Sequence, residues 1–335
     1  MVTPACAAPA TGVRQRPAVT LSISARAWML RALTLAFFVA LAFFGARYAR
    51  TIVWQDVGQA LADTSPHTLV AAMALAAASH VTYSGFDLLG RSYTGHPLRA
   101  AQVMRVTFIS YAFNLNLGSL VGGIALRLRL YARLGLSYLT ISRVVGLSIA
   151  TNWLGYLVLA GLVFSLEPPQ PPPTWTLSDL GLRVLGPVLL ALAASYMAGC
   201  LTGARRRLRL GRRVIRLPAP AIAIAQLALS CANWALMAAL MYTLLQGQLP
   251  YAQVLGVLLV AAIAGVIAHV PAGLGVLEAV FVALLSHRLP EAQLLAALLT
   301  YRAVYYLGPL GLAAVLYLAQ EVRPADTRRS PVPTP

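Results

Sequence analysis

Residues 260 to 285, VAAIAGVIAHVPAGLGVLEAVFVALL, form an apolar run interrupted in its middle by Pro271, Gly273 and Gly275. Proline removes a helical hydrogen bond and glycine loosens the backbone, so the run predicts two short helices meeting at a Gly-rich turn. Neither half is expected to cross a bilayer alone. Lipid cannot satisfy the backbone groups that such a break sets free, so at membrane depth it survives only inside protein or beside a watery cavity. The break therefore points to a site. Residues 110 to 133, SYAFNLNLGSLVGGIALRLRLYAR, are an earlier counterpart, apolar but carrying Asn114, Asn116, Gly118, Gly122 and Gly123 in the middle. The expectation is two re-entrant hairpins facing one another.

The rest of the chain is compatible with that setting. Its 335 residues are 59% hydrophobic and only 10% charged, with a mean hydropathy of +0.74. This excludes an ordinary soluble globule and indicates an all-α polytopic integral membrane protein. The net charge of +17 is carried by arginine, without a single lysine. These arginines cluster at the ends of apolar segments, which fits topology signals and anionic headgroups and gives no reason to expect a nucleic-acid partner. Cys6, Cys200 and Cys231 show no disulfide or metal spacing, and no His, Cys or carboxylate set has the spacing of metal ligands. Nothing matches a P-loop, a catalytic triad or a Rossmann fingerprint, so no cofactor, metal or catalytic residue is expected.

A transmembrane helix needs about 20 mostly apolar residues. Full-length candidates are residues 28–48, 69–90, 138–165, 182–203, 219–246 and 292–320, the last with a kink expected at Gly308 and Pro309. Six full spans and two broken hairpins, 110–133 and 253–285, follow. Residues 1–27 read as a disordered cytoplasmic tail leading into an uncleaved signal anchor, and 321–335 as a second cytoplasmic tail. The positive-inside rule places Arg14 to Arg31, Arg91 to Arg105, the Arg205 to Arg216 cluster and Arg323 to Arg329 in the cytoplasm. If residues 106–124 crossed fully, Arg127, Arg129, Arg133 and Arg143 would lie outside. A cytoplasmic hairpin removes that conflict. Within one domain of residues 28–320, the halves 28–165 and 182–320 then each cross three times and run in opposite senses, an inverted pseudo-repeat of the kind transporters use.

The stretch HVPAGLGVLEAVFVALL, followed by LLAALLTYRAVYYLGPLGLAAVLYL, resembles the transmembrane-domain family of lysylphosphatidylglycerol synthases, the flippase half of the multiple peptide resistance factor. The earlier NLGSLVGGIALRLRLYARLGLS resembles the first signature of stand-alone members in bacterial inner membranes. The resemblance runs over most of residues 30–320 and implies a site built from Gly122, Gly123 and Arg127 with Pro271, Gly273, Gly275, Glu278 and Arg302. It reaches no aminoacyltransferase domain, so lysine transfer is not expected. It implies instead the movement of a lipid or lipid-linked substrate in the inner membrane.

Several of these residues carry two readings. Glu278 stands three residues after Gly275, where a carboxylate either stabilises the start of a helix or meets substrate. Arg302 is deep in an apolar segment, as the counter-ion of Glu278 or as a phosphate contact. Arg127 is the cavity candidate, whereas Arg129 and Arg133 share a face turned away from it. Asn114 and Asn116 line the cavity or hydrogen-bond between helices. His80, Ser84 and Asp87 recur at i, i+4 and i+7, as a packing stripe or a proton relay.

The leading expectation is a translocase of phospholipid or another anionic lipid, phosphatidylglycerol or cardiolipin first. Membrane phospholipids are then its partners, and a lipid-synthesis enzyme and a second copy of the chain are the other partners considered. One alternative is a membrane enzyme or transporter acting on lipid-linked sugar or phosphate, which would draw on Asp56, Asp63, Glu167 or Asp179 in external connectors. The other is a non-transporting scaffold for a lipid synthase, acting through the loop at 205–216.

Overall fold

The computed structural model describes residues 54–170, 180–202, 207–210, 213–268, 270 and 273–322. The expected first span at 28–48, the N-terminal tail, residues 323–335 of the C-terminal tail, most of the proline-rich connector, His269 and Pro271 lie outside the described residues. The fold is helical: α1 (Trp54–Ala62), α2 (Pro66–Thr94), α3 (Ala100–Leu117), α4 (Leu126–Arg133), α5 (Tyr138–Leu166), α6 (Leu180–Leu201), α7 (Pro220–Leu244), α8 (Tyr251–Ala268), α9 (Val276–Leu285), α10 (Glu291–Tyr301) and α11 (Gly308–Val322). Two wide π-helical stretches, Ser119–Ala125 and Arg302–Leu307, are set between helices. In the arginine-rich loop a short antiparallel ladder pairs β1 (Arg207–Leu210) with β2 (Arg213–Arg216).

Among the described residues, six helical segments are long and apolar enough to cross a membrane: 66–94, 138–166, 180–201, 220–244, 251–268 and 291–319. Five coincide with spans read from the sequence. The sixth, α8, corrects the expectation that neither arm of the second break could cross alone. Its 18 residues run from Tyr251 to Ala268, beginning just ahead of the hairpin expected at 253–285, and at 1.5 Å per residue they extend about 27 Å.

Local chemistry sets the helix ends. The Ser65 hydroxyl accepts from the Thr68 amide at 3.2 Å, with Pro66 in the first turn of α2. Ser137 caps α5 in the same way through the Thr140 amide at 3.3 Å. Helix α2 is central, packing against α3, α5, α7 and the second π stretch. Between α5 and α7 the backbones come close at Gly155, whose N–H donates to the Ser230 hydroxyl at 3.0 Å, and a Cβ at Gly155 would run into Ser230. Gln226 donates to the Thr151 hydroxyl at 2.7 Å, and the Trp234 indole donates to the Asn152 carbonyl at 3.1 Å. Apolar surface gives no advantage over lipid tails, so small residues and such interhelical bonds, about 0.6 kcal/mol each on average, hold a bundle of this kind together.

Both breaks fold the chain back on itself. After α3 the chain turns at Gly118 (φ 85), and the π stretch returns along α3 so closely that a Cβ on Gly122 would strike the Phe113–Asn114 backbone. After α8 it turns through Gly273 (φ 55) and Gly275 (φ 76), and α9 packs back against α8. An L side chain in this left-handed region costs about 1–2 kcal/mol, which explains glycine at these turns. Pro309 lacks the N–H that a regular helix would use, and the hydrogen-bond ladder widens just ahead of it, over Arg302–Leu307.

Candidate functional site

Between the two breaks lies a cavity of about 710 Å³. Leu117, Leu120 and Ile149 line part of it and are also exposed on the outside of the bundle, so its wall is continuous with the apolar surface. Asn114, Gly118 and Gly123 of the first break and Val270 and Gly273 of the second line it as well, together with Arg127, Tyr83, Tyr111, Tyr301 and Tyr306.

Among the described residues each break carries one ion pair. Arg127 follows the first π stretch and is 2% exposed; its Nε is 3.5 Å from Oδ2 of the fully buried Asp87 on α2. The same Oδ2 accepts from the Tyr131 hydroxyl at 2.8 Å, and Arg127 Nη1 donates to Ser148 at 3.4 Å. The guanidinium also stands 5.6 Å from the centre of the Tyr83 ring. Arg302, at the head of the second π stretch, grips both oxygens of Glu278: Nε donates to Oε1 and Nη2 to Oε2, the latter at 2.9 Å. Nη2 also donates to the Gly273 carbonyl at 3.0 Å, which ties the second break to α10. This pair is less enclosed, with side chains 12% and 19% exposed. The planar fork of arginine suits both jobs, bidentate pairing and capture of a freed carbonyl.

A tyrosine column joins the two pairs. Tyr83, under Arg127, stacks on Tyr111 at 3.5 Å between centroids. The hydroxyls of Tyr111 and Tyr305 are 2.9 Å apart, and that of Tyr305 is 2.8 Å from Ser79, which donates to Asn233. Tyr305 stacks on Tyr301, and Tyr306 carries the Arg302 guanidinium over its ring at 5.3 Å.

The residues singled out from sequence divide by place. Asn114, Gly123, Arg127 and Gly273 line the cavity, whereas Gly122 serves the close approach to α3. Asn116 donates to the Tyr306 carbonyl at 3.2 Å and so binds α3 to the second π stretch. Gly275 turns the chain into α9, and the Glu278–Arg302 pair stands behind the wall formed by Gly273 and Tyr306. Arg129 and Arg133 are exposed. The stripe on α2 separates. His80 Nδ1 bonds the Ala76 carbonyl and its ring packs among Phe108, Tyr111 and Tyr305, while Ser84 donates to the His80 carbonyl. Asp87 alone turns to an arginine. Asp56, Asp63 and Glu167 are exposed, and Asp179 lies outside the described residues.

Residues 28–313 match the family described as the lysylphosphatidylglycerol synthase TM region. The chain belongs to this family. It is 44% identical over 297 residues to the inner membrane protein YbhN of Escherichia coli K12, covering 88% of this chain and 93% of that one. It is 32% identical over 267 residues to the uncharacterized protein slr0712 of Synechocystis, covering 78% and 82%. The chain is thus a membrane protein of the lysylphosphatidylglycerol synthase TM family, and the cavity lies between residues that belong to the family match. Sequence reasoning missed Asp87 as the partner of Arg127. The available signal was a balance of charge: Asp87 and Glu278 are carboxylates inside apolar runs, as Arg127 and Arg302 are arginines inside them. It also missed the tyrosine column, signalled by five tyrosines in apolar segments, Tyr83, Tyr111, Tyr301, Tyr305 and Tyr306.

Proposed function

We propose that this protein moves a phospholipid or another anionic lipid across the bacterial inner membrane, its headgroup passing through the cavity while the acyl chains stay in lipid. The observation that carries the reading is the cavity itself, walled by both helix breaks, lined by a buried arginine and continuous with apolar outer surface. Its volume falls in the range of small-ligand pockets, about 300–1,000 Å³, which suits a headgroup. The family match and the inner-membrane relative support the same setting.

In this reading the two hairpins enter from opposite faces of the membrane, with both termini in the cytoplasm and the halves 28–165 and 182–320 inverted. The turns of the broken helices then stand near mid-depth, where unpaired backbone groups and Arg127 meet a phosphate. Asn114, Gly123 and Gly273 shape the path, and the Glu278–Arg302 pair holds the second turn in place.

The test is headgroup translocation of labelled phosphatidylglycerol in proteoliposomes. Wild type accelerates it, and Arg127→Gln and Glu278→Gln proteins that remain monodisperse lose most of the rate. Wild-type rates equal to empty liposomes, across anionic and zwitterionic lipids, would refute the reading.

A further inference from the structure

The Asp87–Arg127 pair is incompletely satisfied. Asp87 is fully buried, yet its Oδ1 has no hydrogen-bond partner among the described residues. Arg127 Nη2 has none either, and its Nε reaches Asp87 at ion-pair distance only. Two buried ions repay their desolvation only with good geometry and filled lone pairs, and a charge stripped of its partner there is costly. Each ion is therefore open to a third species: Arg127 to an anion from the cavity it lines, and Asp87 to a proton.

The two events are tied by charge balance. In the empty site, Asp87⁻ and Arg127⁺ sum to zero. Once a phosphate oxygen takes the guanidinium, Asp87 keeps only the Tyr131 hydroxyl, and a buried carboxylate with so little support is neutralised by protonation. Protonated Asp87, Arg127⁺ and a monoanionic phosphodiester again sum to zero. One proton from water becomes the O–H of Asp87, and no other bond forms or breaks.

The proton has a place to enter. His96 lies in the turn beyond the left-handed Gly95 that ends α2, is 6% exposed, and has no hydrogen-bond partner on either ring nitrogen among the described residues. Its ring centroid is 6.4 Å from that of Tyr131, whose hydroxyl reaches Asp87. Burial, and then Arg91, push its imidazole below the usual value, with Asp87 pulling the other way. At neutral pH it is therefore mainly uncharged, able to accept a proton and release it. The titratable and charged groups around Asp87 are Arg127 and Tyr131, with Tyr83, Arg91 and His96 on its own side. Of the helices packed on α2, α3 and α5 carry Arg105 and Arg143, both exposed, and α7 has no charged residue. Its titratable groups are Cys231 and Tyr242. The titratable groups of α3 and α5 are Tyr111, Tyr138 and Tyr156, and those of the π stretch are Arg302, Tyr305 and Tyr306.

We propose that Asp87 is a proton-binding site, and that the cavity takes up one proton there for each anionic headgroup received at Arg127. The proposal rests on the lipid reading above.

The test is calorimetric titration of the detergent-solubilised full chain with dihexanoyl phosphatidylglycerol, in buffers of different ionisation enthalpy. Wild type takes up about one proton per lipid bound, and affinity falls about tenfold per pH unit where that uptake is complete. Asp87→Asn binds lipid without proton uptake, and Asp87→Glu, which keeps a carboxyl and guards against a folding defect, retains uptake. Wild-type binding with no proton exchange would overturn the proposal and leave the lipid reading standing. No binding of phosphatidylglycerol or of any other anionic lipid would overturn both.

Discussion

The two helix breaks answer the same problem with opposite charges. The first turns on a single left-handed glycine, Gly118, and offers an arginine, Arg127, which reaches back to Asp87 on α2. The second turns on two, Gly273 and Gly275, and offers a glutamate, Glu278, which reaches forward to Arg302 at the head of the following π stretch. The second pair is bidentate, anchors a turn carbonyl and is part-exposed; the first is single-point and sealed. A break inside an apolar bundle needs its polar groups compensated, but the sign of the charge and the direction of the reach are free.

Four substitutions would break or sharpen this contrast, in order of expected effect on stability. Arg127→Ala strands Asp87 as an unpaired buried charge and should cost about 3–5 kcal/mol, read as a drop in the melting temperature of the purified protein. The double variant Asp87→Asn with Arg127→Gln should recover much of that loss, and equal damage from single and double variants would contradict the pairing. Gly122→Ala forces a Cβ into the Phe113–Asn114 backbone, at about 1–3 kcal/mol. Glu278→Gln removes a charge from a pair that water partly reaches, so its cost should be smaller, about 1–2 kcal/mol by chemical denaturation. A larger cost than for Arg127→Ala would invert the comparison. Asn116→Ala loses one bond to the Tyr306 carbonyl, and should cost about 0.6 kcal/mol in the same unfolding experiment.

Much of this arrangement is legible in sequence because it follows from rare residues in apolar surroundings. Pro271, Gly273 and Gly275 announce a break, and Glu278 and Arg302 announce each other, since an ion within an apolar bundle needs an opposite charge. The length of α8 was less legible: its first turns lie in YAQVLG, where Tyr251, Gln253 and Gly256 dilute the apolar signal. Asp87 was hidden by periodicity. Spacing groups it with His80 and Ser84 on one face, but side chains on one face reach different neighbours, and only tertiary packing decides which helix faces Asp87. The two π stretches could be read only as Gly- or Pro-containing disturbances, because a widened turn depends on what it packs against.

The most direct test of the cavity as a headgroup path compares two exposed valines. Val266 lines the cavity and is 52% exposed, whereas Val315 is 63% exposed and lies away from the cavity wall. Each becomes a single cysteine in a protein with Cys6, Cys200 and Cys231 replaced, and is offered a phosphatidylethanolamine carrying a thiol-reactive maleimide on its headgroup. The account predicts modification of Val266→Cys, slowed by adding Arg127→Gln, with Val315→Cys unmodified. Equal modification of both positions, or a rate at Val266→Cys indifferent to Arg127, would contradict it.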